Sequence, residues 1–239
     1  MVRRTPRIVN PKTTPLCWGR SYPFDPGPGG PILRRIALAL LAVSLFVGAG
    51  SATAQSVVPP GAAYVESPED AATTTSARWL TPPPGPRVLR VAFASPPGGR
   101  GAFWDAARRA LDVWAAVPGL PVRFKITEAT DSADIEFRWI DRFPTSQAGA
   151  AHRRLDADGY IRRVVVVLSR EHADGSPMSD EFRRLVALHE VGHALGLPHS
   201  EDPGDVMHPG NRNFTISHRD LRSLDALYAA KPAPEAPGD

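Results

Sequence analysis

The stretch His189-Glu190-Val191-Gly192-His193-Ala194-Leu195-Gly196-Leu197-Pro198-His199-Ser200 decides the fold of this chain. Residues four apart lie one above the other on an α-helix, so His189 and His193 can present their imidazoles to one metal ion. His199 can join them if the chain turns back after the helix. Three histidines leave one coordination position open, which is typical of catalytic zinc, whereas structural zinc has four protein ligands.

The residues between the histidines indicate how the site is completed. Gly196 can adopt the left-handed conformation that ends a helix, and Pro198 prevents the helix from resuming. Glu190 directly follows the first ligand, which places its carboxylate beside the metal without coordinating it. From there it can accept a proton from a zinc-activated water, so Glu190 is the predicted general base.

A methionine follows the third histidine in Asp205-Val206-Met207-His208-Pro209, where a turn can pass beneath the site. Together with the histidine motif, this pattern resembles the metzincin zinc endopeptidases, which have HExxHxxGxxH and a Met-turn. Ser200 narrows the resemblance to the matrixins, the matrix metalloproteinase family. The resemblance implies a zinc metalloendopeptidase of bacterial secreted type. Met207 would then support the site from below without coordinating the one catalytic zinc.

The resemblance also implies where a substrate binds. In matrixins an extended peptide pairs with the edge strand above the zinc helix, and residues 147–152 resemble that strand. The predicted substrate-binding residues are Ala148, Gly149, Ala150, Ala151 and Pro209, because small residues allow a peptide backbone to approach closely. An ordinary edge strand is an equally good interpretation. Asn211 stands where matrixins tend to have a tyrosine lining the primed-side pocket, so the preferred side chain is not specified.

Further metal sites have little support in the sequence. Matrixins bind a second, structural zinc through four ligands, and this sequence matches only one of them, with His152. His152 is better interpreted as a strand or surface residue than as a ligand. Asp156 and Asp158 beside Gly159 are compatible with calcium, but a hairpin turn explains them better. Zinc is therefore the predicted cofactor, and calcium is an unsupported alternative.

Hydrophobic periodicity predicts the order of the secondary structure elements. Alternation predicts strands over 88–93, 122–126 and 134–139. A further strand is predicted over 160–168, and its apolar run 164–167 is typical of a strand buried on both faces. Aromatic residues at helical spacing predict a helix over 103–117 that packs on the sheet. Capping patterns at Ser179 or Asp180 and at 217–220 predict two later helices. The order fits an α+β metzincin domain with a twisted, mostly parallel sheet of about five strands, an antiparallel edge strand, a zinc helix, a Met-turn and a C-terminal helix.

Composition predicts four segments along the chain. Residues 1–54 form a leader and secretion signal, in which Arg34-Arg35 precede an apolar run and Ala52-Thr53-Ala54 offers a cleavage site. Residues 1–30 are either an extended leader or, as the preferred interpretation, the result of a start codon assigned too far upstream. Residues 55–78 are a disordered lead-in, 79–230 the peptidase domain and 231–239 a disordered tail. A secreted or periplasmic product cleaved near Ala54 follows, without a stable membrane anchor and without Cys17.

Charge distribution limits the classes of partner. The net charge is only +3 and the arginines are scattered along the chain, so the sequence predicts no nucleic-acid binding. A protein or peptide substrate and a monomer are expected. Two alternatives to a secreted endopeptidase remain open: a zinc amidase acting on cell-wall peptides, and a non-catalytic, zinc-stabilised peptide-binding protein. Glu190 argues against the binding protein, which has no use for a proton acceptor at that position.

Overall fold

A computed structural model describes residues 15–17, 63–65, 77–81, 85–95 and 101–229. Contacts divide the chain into two units, and every described residue belongs to the one formed by Met1–Ser21 and Gly61–Asp239. Most of the leader, the cleavage site at Ala54 and the tail 231–239 lie outside the described residues, so these assignments stay predictions. Within the described ranges, no helix is both long and apolar enough to cross a bilayer.

A six-stranded sheet forms the framework of the domain. Its strands are β1 (Pro15–Cys17), β2 (Arg87–Phe93), β3 (Val122–Thr127), β4 (Ile135–Ile140), β5 (Gly149–Leu155) and β6 (Ile161–Ser169). They are arranged in the order β1-β5-β6-β4-β2-β3. Strands β6, β4, β2 and β3 run parallel and β5 is antiparallel to β6, which confirms the predicted sheet. The sequence did not predict β1, which pairs antiparallel with residues 150–152 along the outer side of β5.

In the described part of the chain, three helices accompany the sheet: α1 (Ala102–Ala115), α2 (Asp180–Leu195) and α3 (His218–Ala229). Helices α1 and α2 pack against each other, α1 beside β3 and α2 beside β5 and β6. The buried Trp114 joins the two helices by donating its indole N–H to the Leu188 carbonyl at 2.9 Å. At the other end of α1, the half-buried Trp104 packs against Phe93 with ring centroids 5.3 Å apart. The predicted packing of the α1 aromatics is therefore confirmed, with Trp114 bonded to α2 in addition.

The prediction that the valine run of β6 is buried on both faces is wrong. Val164 and Val166 are fully buried, whereas Val165 and Val167 are only half-buried. Alternate side chains of a strand point to opposite faces, and only the face with Val164 and Val166 is in the core. An unbroken apolar run does not distinguish one covered face from two.

Two parts of the lead-in pack against the domain, although the sequence predicts disorder over 55–78. Val65 is fully buried, and the Tyr64 backbone N–H donates to the Ser223 hydroxyl of α3 at 2.9 Å. Further along, the Ala77 N–H donates to the Gly196 carbonyl at 3.3 Å. Few large apolar residues mark this segment, so composition did not reveal its contacts. The domain start at residue 79 stays a prediction.

Both ends of α2 are fixed by hydrogen bonds, which positions the histidines that it carries. At the start, the Ser179 hydroxyl accepts from the Phe182 N–H at 3.1 Å, as predicted. A helix leaves the four carbonyls of its last turn without intrahelical donors, and in α2 all four find other donors. Gly192 accepts from the Leu197 N–H at 3.1 Å and His193 from the Gly196 N–H at 3.0 Å. Ala194 accepts from the Trp79 indole and Leu195 from the Tyr228 hydroxyl, each at 2.8 Å.

Candidate metal centre and active site

The three histidines of the motif converge at the C-terminal end of α2. His189 and His193 lie one helical turn apart, and Gly196, with a φ of 112°, turns the chain so that His199 faces them. The ring centroids are 4.6 Å apart for His189 and His193, 5.2 Å for His189 and His199, and 4.8 Å for His193 and His199. One candidate ligand atom from each ring lies within 4.8 Å of the other two.

Backbone carbonyls fix the orientation of the two helical histidines. Nδ1 of His189 lies 2.8 Å from the Val206 carbonyl oxygen, and Nδ1 of His193 lies 2.7 Å from that of Leu197. A carbonyl can only accept, so each Nδ1 carries the proton and donates. Each Nε2 then carries the lone pair that a metal requires, an arrangement typical of metal-binding histidines.

Burial keeps the three imidazoles neutral. It lowers the pKa of His189 to about 3 and that of His199 to about 4, with smaller contributions from neighbouring histidines. The pKa of His193 is also well below its usual value, chiefly because its ring is buried. Neutral imidazole is the form that coordinates a metal, so the protein environment favours the ligand state at neutral pH.

Glu190 lies beside the histidines and is completely buried. Burial raises the pKa of its carboxyl group well above the usual range. Neither carboxylate oxygen has a hydrogen-bond partner in the described part of the chain. A buried carboxyl group without partners is costly, and such groups are enriched at catalytic sites. The position and protonation behaviour of Glu190 therefore suit a group that exchanges protons.

The unsatisfied buried atoms provide a test of whether a metal fits here. Among the described residues, Nε2 of His193, Nε2 of His199 and both oxygens of Glu190 are buried without a hydrogen-bond partner. An imidazole Nε2 without a proton and an ionised carboxylate are acceptors that do not donate. A divalent cation satisfies such a cluster, and a set of three imidazole nitrogens suits zinc. The residues present therefore fit the predicted zinc.

Gly149 makes room for the Glu190 carboxyl group. A Cβ atom at residue 149 would lie 2.6 Å from Oε1 of Glu190 and 2.7 Å from Cγ1 of Val186. Real Cβ atoms essentially never come that close to another heavy atom. The sequence predicts that Gly149 admits a substrate backbone, and that role is untested. The structure shows that its missing side chain accommodates the predicted general base.

Met207 packs against α2 at Gly192. It is fully buried, and its sulfur is so close to Gly192 that a Cβ there would lie 2.3 Å from Sδ. Gly192 is between His189 and His193 on α2, so the methionine packs against the helix at the level of the two ligands. The role of Met207 as support for the site stays a prediction, and this contact is compatible with it.

Two buried aspartates, neither of them predicted as site residues, hold the Met-turn. Asp205 accepts from the Ser217 hydroxyl at 2.6 Å and from Arg219 Nε at 3.0 Å, and it also bonds the hydroxyl of Ser200. Asp220 accepts from the Val206 N–H at 2.9 Å. The Val206 carbonyl in turn accepts from Nδ1 of His189. Asp220 is therefore connected to the metal centre indirectly, through Val206.

Asp220 also has the role that the sequence predicts for it. Its carboxylate accepts from the Ser217 N–H at 3.0 Å, and the Ser217 hydroxyl accepts from the Asp220 N–H at 3.0 Å. This is the predicted capping box of α3. The sequence signal for the cap was correct, but it gave no indication of the contact with the Met-turn.

The other predicted substrate-binding residues lie on or near β5. Ala148 is buried, and its carbonyl accepts from the Ser169 N–H at 2.9 Å, so this carbonyl faces β6. Ala150 and Ala151 are buried and pair with the backbone of β1. Pro209 is half-buried just after the Met-turn. Their role in binding a substrate stays a prediction.

Asn211 follows the Met-turn and packs against the first half of α2. It is 2% exposed, and its amide nitrogen lies 3.4 Å from the carbonyl of Leu185, one turn before His189. Its side-chain oxygen accepts from the Asn213 N–H at 2.7 Å. The buried amide thus fixes the segment that follows the turn.

The weak metal candidates have other structural roles. Oδ1 of Asp156 accepts from the N–H groups of Asp158 and Tyr160 at 3.0 and 2.8 Å, and Oδ2 accepts from Arg162 Nε at 2.7 Å. These bonds are those of a hairpin turn and support that interpretation. His152 is a half-buried residue of β5. Among the described residues, the histidine triad is the only cluster that could hold a metal.

Comparison with protein families agrees with this geometry. The matrixin family model matches residues 95–229, which is more than half of the chain. The chain belongs to the matrixin family. The match contains α1, the four strands β3–β6, the metal centre and α3, whereas β2 precedes it.

Individual relatives cover different parts of the chain. Interstitial collagenase B of Mus musculus is 30% identical over 139 residues, which are 54% of this chain and 29% of that protein. Metalloendoproteinase 1 of Glycine max is 27% identical over 169 residues, which are 65% of this chain and 54% of that protein. Matrilysin of Felis catus is 42% identical over 64 residues, which are 25% of this chain and 24% of that protein. The chain spans about half or less of the length of these relatives. They are animal and plant proteins, so the expected bacterial type gains no support from them.

Replacing Gly149 by alanine tests the contact with the general base. We expect Gly149→Ala to lower kcat/KM on a peptide substrate by about 100-fold, because the new methyl group displaces the Glu190 carboxylate by about 1 Å. Zinc content, measured by atomic absorption, should be unchanged because the histidines are not touched. Gly101→Ala is the control, since a Cβ there meets nothing within 4 Å. Full activity in Gly149→Ala would show that the carboxylate tolerates the displacement.

Replacing Met207 by leucine tests whether the sulfur coordinates the metal. We expect Met207→Leu to retain stoichiometric zinc and to lose less than about tenfold in kcat/KM, because a support from below is not a ligand. The two side chains have similar volumes, so the cost in folding should be below about 1.5 kcal/mol. Loss of the metal in this variant would contradict the assignment.

Proposed function

We propose that this matrixin is a secreted, zinc-dependent endopeptidase in which Glu190 is the general base. The observation that carries the proposal is the buried, partnerless carboxyl group of Glu190 beside three converging imidazoles. A purely structural zinc site needs no such group. The family match supports the same reaction class, the hydrolysis of peptide bonds in a protein or peptide substrate.

The chain supplies proton transfer and orientation for this reaction. Zinc, when bound, acts as a Lewis acid that polarises the scissile carbonyl and lowers the pKa of a water molecule. Glu190 accepts the proton of the attacking water and then donates it to the leaving amine. Its buried position favours the first of these steps, since a carboxyl group in an apolar environment binds a proton more tightly. The carbonyls of Val206 and Leu197 hold His189 and His193 in the ligand tautomer throughout.

The outer edge of β5 is the proposed site for the substrate backbone. The Ala148 carbonyl faces β6, and backbone groups of successive residues alternate in direction, so those of Gly149 and Ala151 face outward. The backbone of Pro15–Cys17 pairs antiparallel with this edge. We propose that an extended substrate binds in the same way once the leader has left. Extracellular location follows from the predicted signal, and a mature N-terminus at Gln55 in the culture medium would support it.

Removal of the metal tests the proposed activity. We expect incubation with a chelator to abolish cleavage of an unbiased peptide library, and one equivalent of zinc to restore it, because the three histidines supply all the protein ligands. Restoration by calcium alone would contradict a zinc enzyme. Cleavage confined to cell-wall peptides would favour the amidase, and zinc binding without cleavage of any substrate would favour the binding protein.

A further inference from the structure

Cationic side chains gather on the face of the sheet that points away from α1 and α2. Alternation along each strand places Leu89 and Val91 in the core and Arg90 on the opposite face. The side chains that share this outward face are Arg90 (β2), Arg123 and Lys125 (β3), Arg138 (β4), Arg163 (β6) and Arg154 (β5). They are separated widely in sequence, so only the sheet brings them together. We call this surface the cationic face.

Strand register aligns part of the cationic face into a row. Lys125 lies directly opposite Arg90, and Arg154 lies directly opposite Arg163. Asp134 joins the two pairs, because its carboxylate accepts from the Arg90 N–H at 2.8 Å and its carbonyl accepts from the Val164 N–H at 2.8 Å. With neighbouring strands about 4.8 Å apart, the row across five strands is about 19 Å long.

The carboxylates of this surface do not balance its cations. Asp134 is shared by Arg87 (3.5 Å) and Arg90 (3.2 Å). Similarly, Glu136 is shared by Arg138 and Arg163, each at 2.7 Å. Arg123, Lys125 and Arg154 are exposed and have no ion-pair partner in the part of the chain that the structure describes.

The two pairs of like charges in the row do not stabilise the fold. Like charges directly opposite each other on neighbouring strands are destabilising, and the row contains two such pairs. The guanidinium groups of Arg90 and Arg138 are accessible, with side chains 50% and 54% exposed. An anionic partner would relieve the repulsion.

We propose that the cationic face binds a linear anionic polysaccharide that carries sulfate or carboxylate groups. Guanidinium groups recognise such anions through paired N–H donors. The row is narrow and long, which fits an extended polymer better than a folded protein, whose interface typically needs about 800 Å² on each side.

The aromatic residues of the strands argue against two other polyanions. Phe93, Phe124, Phe137 and Trp139 occupy positions that alternate with the cationic ones and lie on the core side. The outward positions of β2–β6 therefore lack the aromatic platform on which single-stranded nucleic acids stack. They also lack the aromatic residues that commonly anchor proteins at a membrane surface.

Binding to heparin, which carries both sulfate and carboxylate groups, tests the proposal with the full-length chain. The double variant Lys125→Glu/Arg154→Glu reverses the charge at both ends of the row. Its matched control, Arg109→Glu/Arg222→Glu, makes the same change in net charge at exposed positions of α1 and α3. At about 0.1 M salt we expect the Kd for heparin to rise about tenfold in the row variant and less than about twofold in the control.

Two further measurements keep the result interpretable. Thermal unfolding midpoints and cleavage of a short neutral peptide should be equal in both double variants, which separates this inference from the proposed catalysis. If the row variant does not fold, Lys125→Gln and Arg154→Gln should each weaken binding about threefold. Equal weakening by the row variant and its control would overturn the proposal. So would tighter binding to a single-stranded oligonucleotide or to phosphatidylglycerol vesicles than to heparin.

Discussion

Glu190→Gln should lower kcat/KM about 10³-fold on a peptide substrate while zinc stays bound. General acid–base groups typically contribute about 10²- to 10⁴-fold, and among the described residues the histidine cluster contains no carboxylate that could replace this one. Glutamine has nearly the same shape as glutamate, so it fits the space that Gly149 leaves open. The amide cannot accept a proton, and it therefore removes the proposed function without removing a metal ligand.

Glu181→Gln is the matched control for this experiment. Glu181 lies in the first turn of the same helix but is exposed, so its replacement should leave both activity and zinc content unchanged. Atomic absorption and steady-state kinetics on the three proteins decide the outcome. Activity near the wild-type level in Glu190→Gln would exclude Glu190 as the general base. Loss of zinc in that variant would mean that the carboxylate shapes the metal site instead.

Gly196→Ala should destabilise the domain by about 2–5 kcal/mol. Two costs add at this position. A non-glycine residue at a φ of 112° is strained by about 1–2 kcal/mol. In addition, a Cβ would lie 1.7 Å from the carbonyl oxygen of Ala77, which is backbone and cannot rotate away, and such overpacking costs about 1–3 kcal/mol. Urea unfolding of the variant and the wild type measures the sum.

Gly119→Ala separates the two costs. Gly119 also has a positive φ, of 75°, but a Cβ there meets nothing within 4 Å. Its replacement should therefore cost only about 1–2 kcal/mol. We also expect Gly196→Ala to bind zinc more weakly, since His199 follows the displaced turn by three residues. Equal destabilisation by the two substitutions would show that Ala77 does not pack against the turn.

The metal centre could be predicted from the sequence because its geometry is local. His189 and His193 are four residues apart on one helix, and the turn that brings His199 to them depends on a glycine three residues earlier. The capping residues Ser179 and Ser217 and the alternation in β2, β3 and β4 are also short-range signals. In contrast, burial of both faces of the valine run in β6 could not be predicted from the sequence, because burial of the second face depends on what lies across the sheet.

The sequence by itself determined that three imidazoles and a carboxyl group meet at the end of a helix, because helical spacing and the turn at Gly196 allow little else. Only the tertiary structure decided what surrounds them. Gly149 makes space for Glu190, Asp220 holds the Met-turn, and Trp79 and Tyr228 complete the end of the zinc helix. Strand register likewise decided that scattered arginines share one face of the sheet. These contacts join residues far apart in the chain, so they depend on how the elements pack and leave no periodic signal in the sequence.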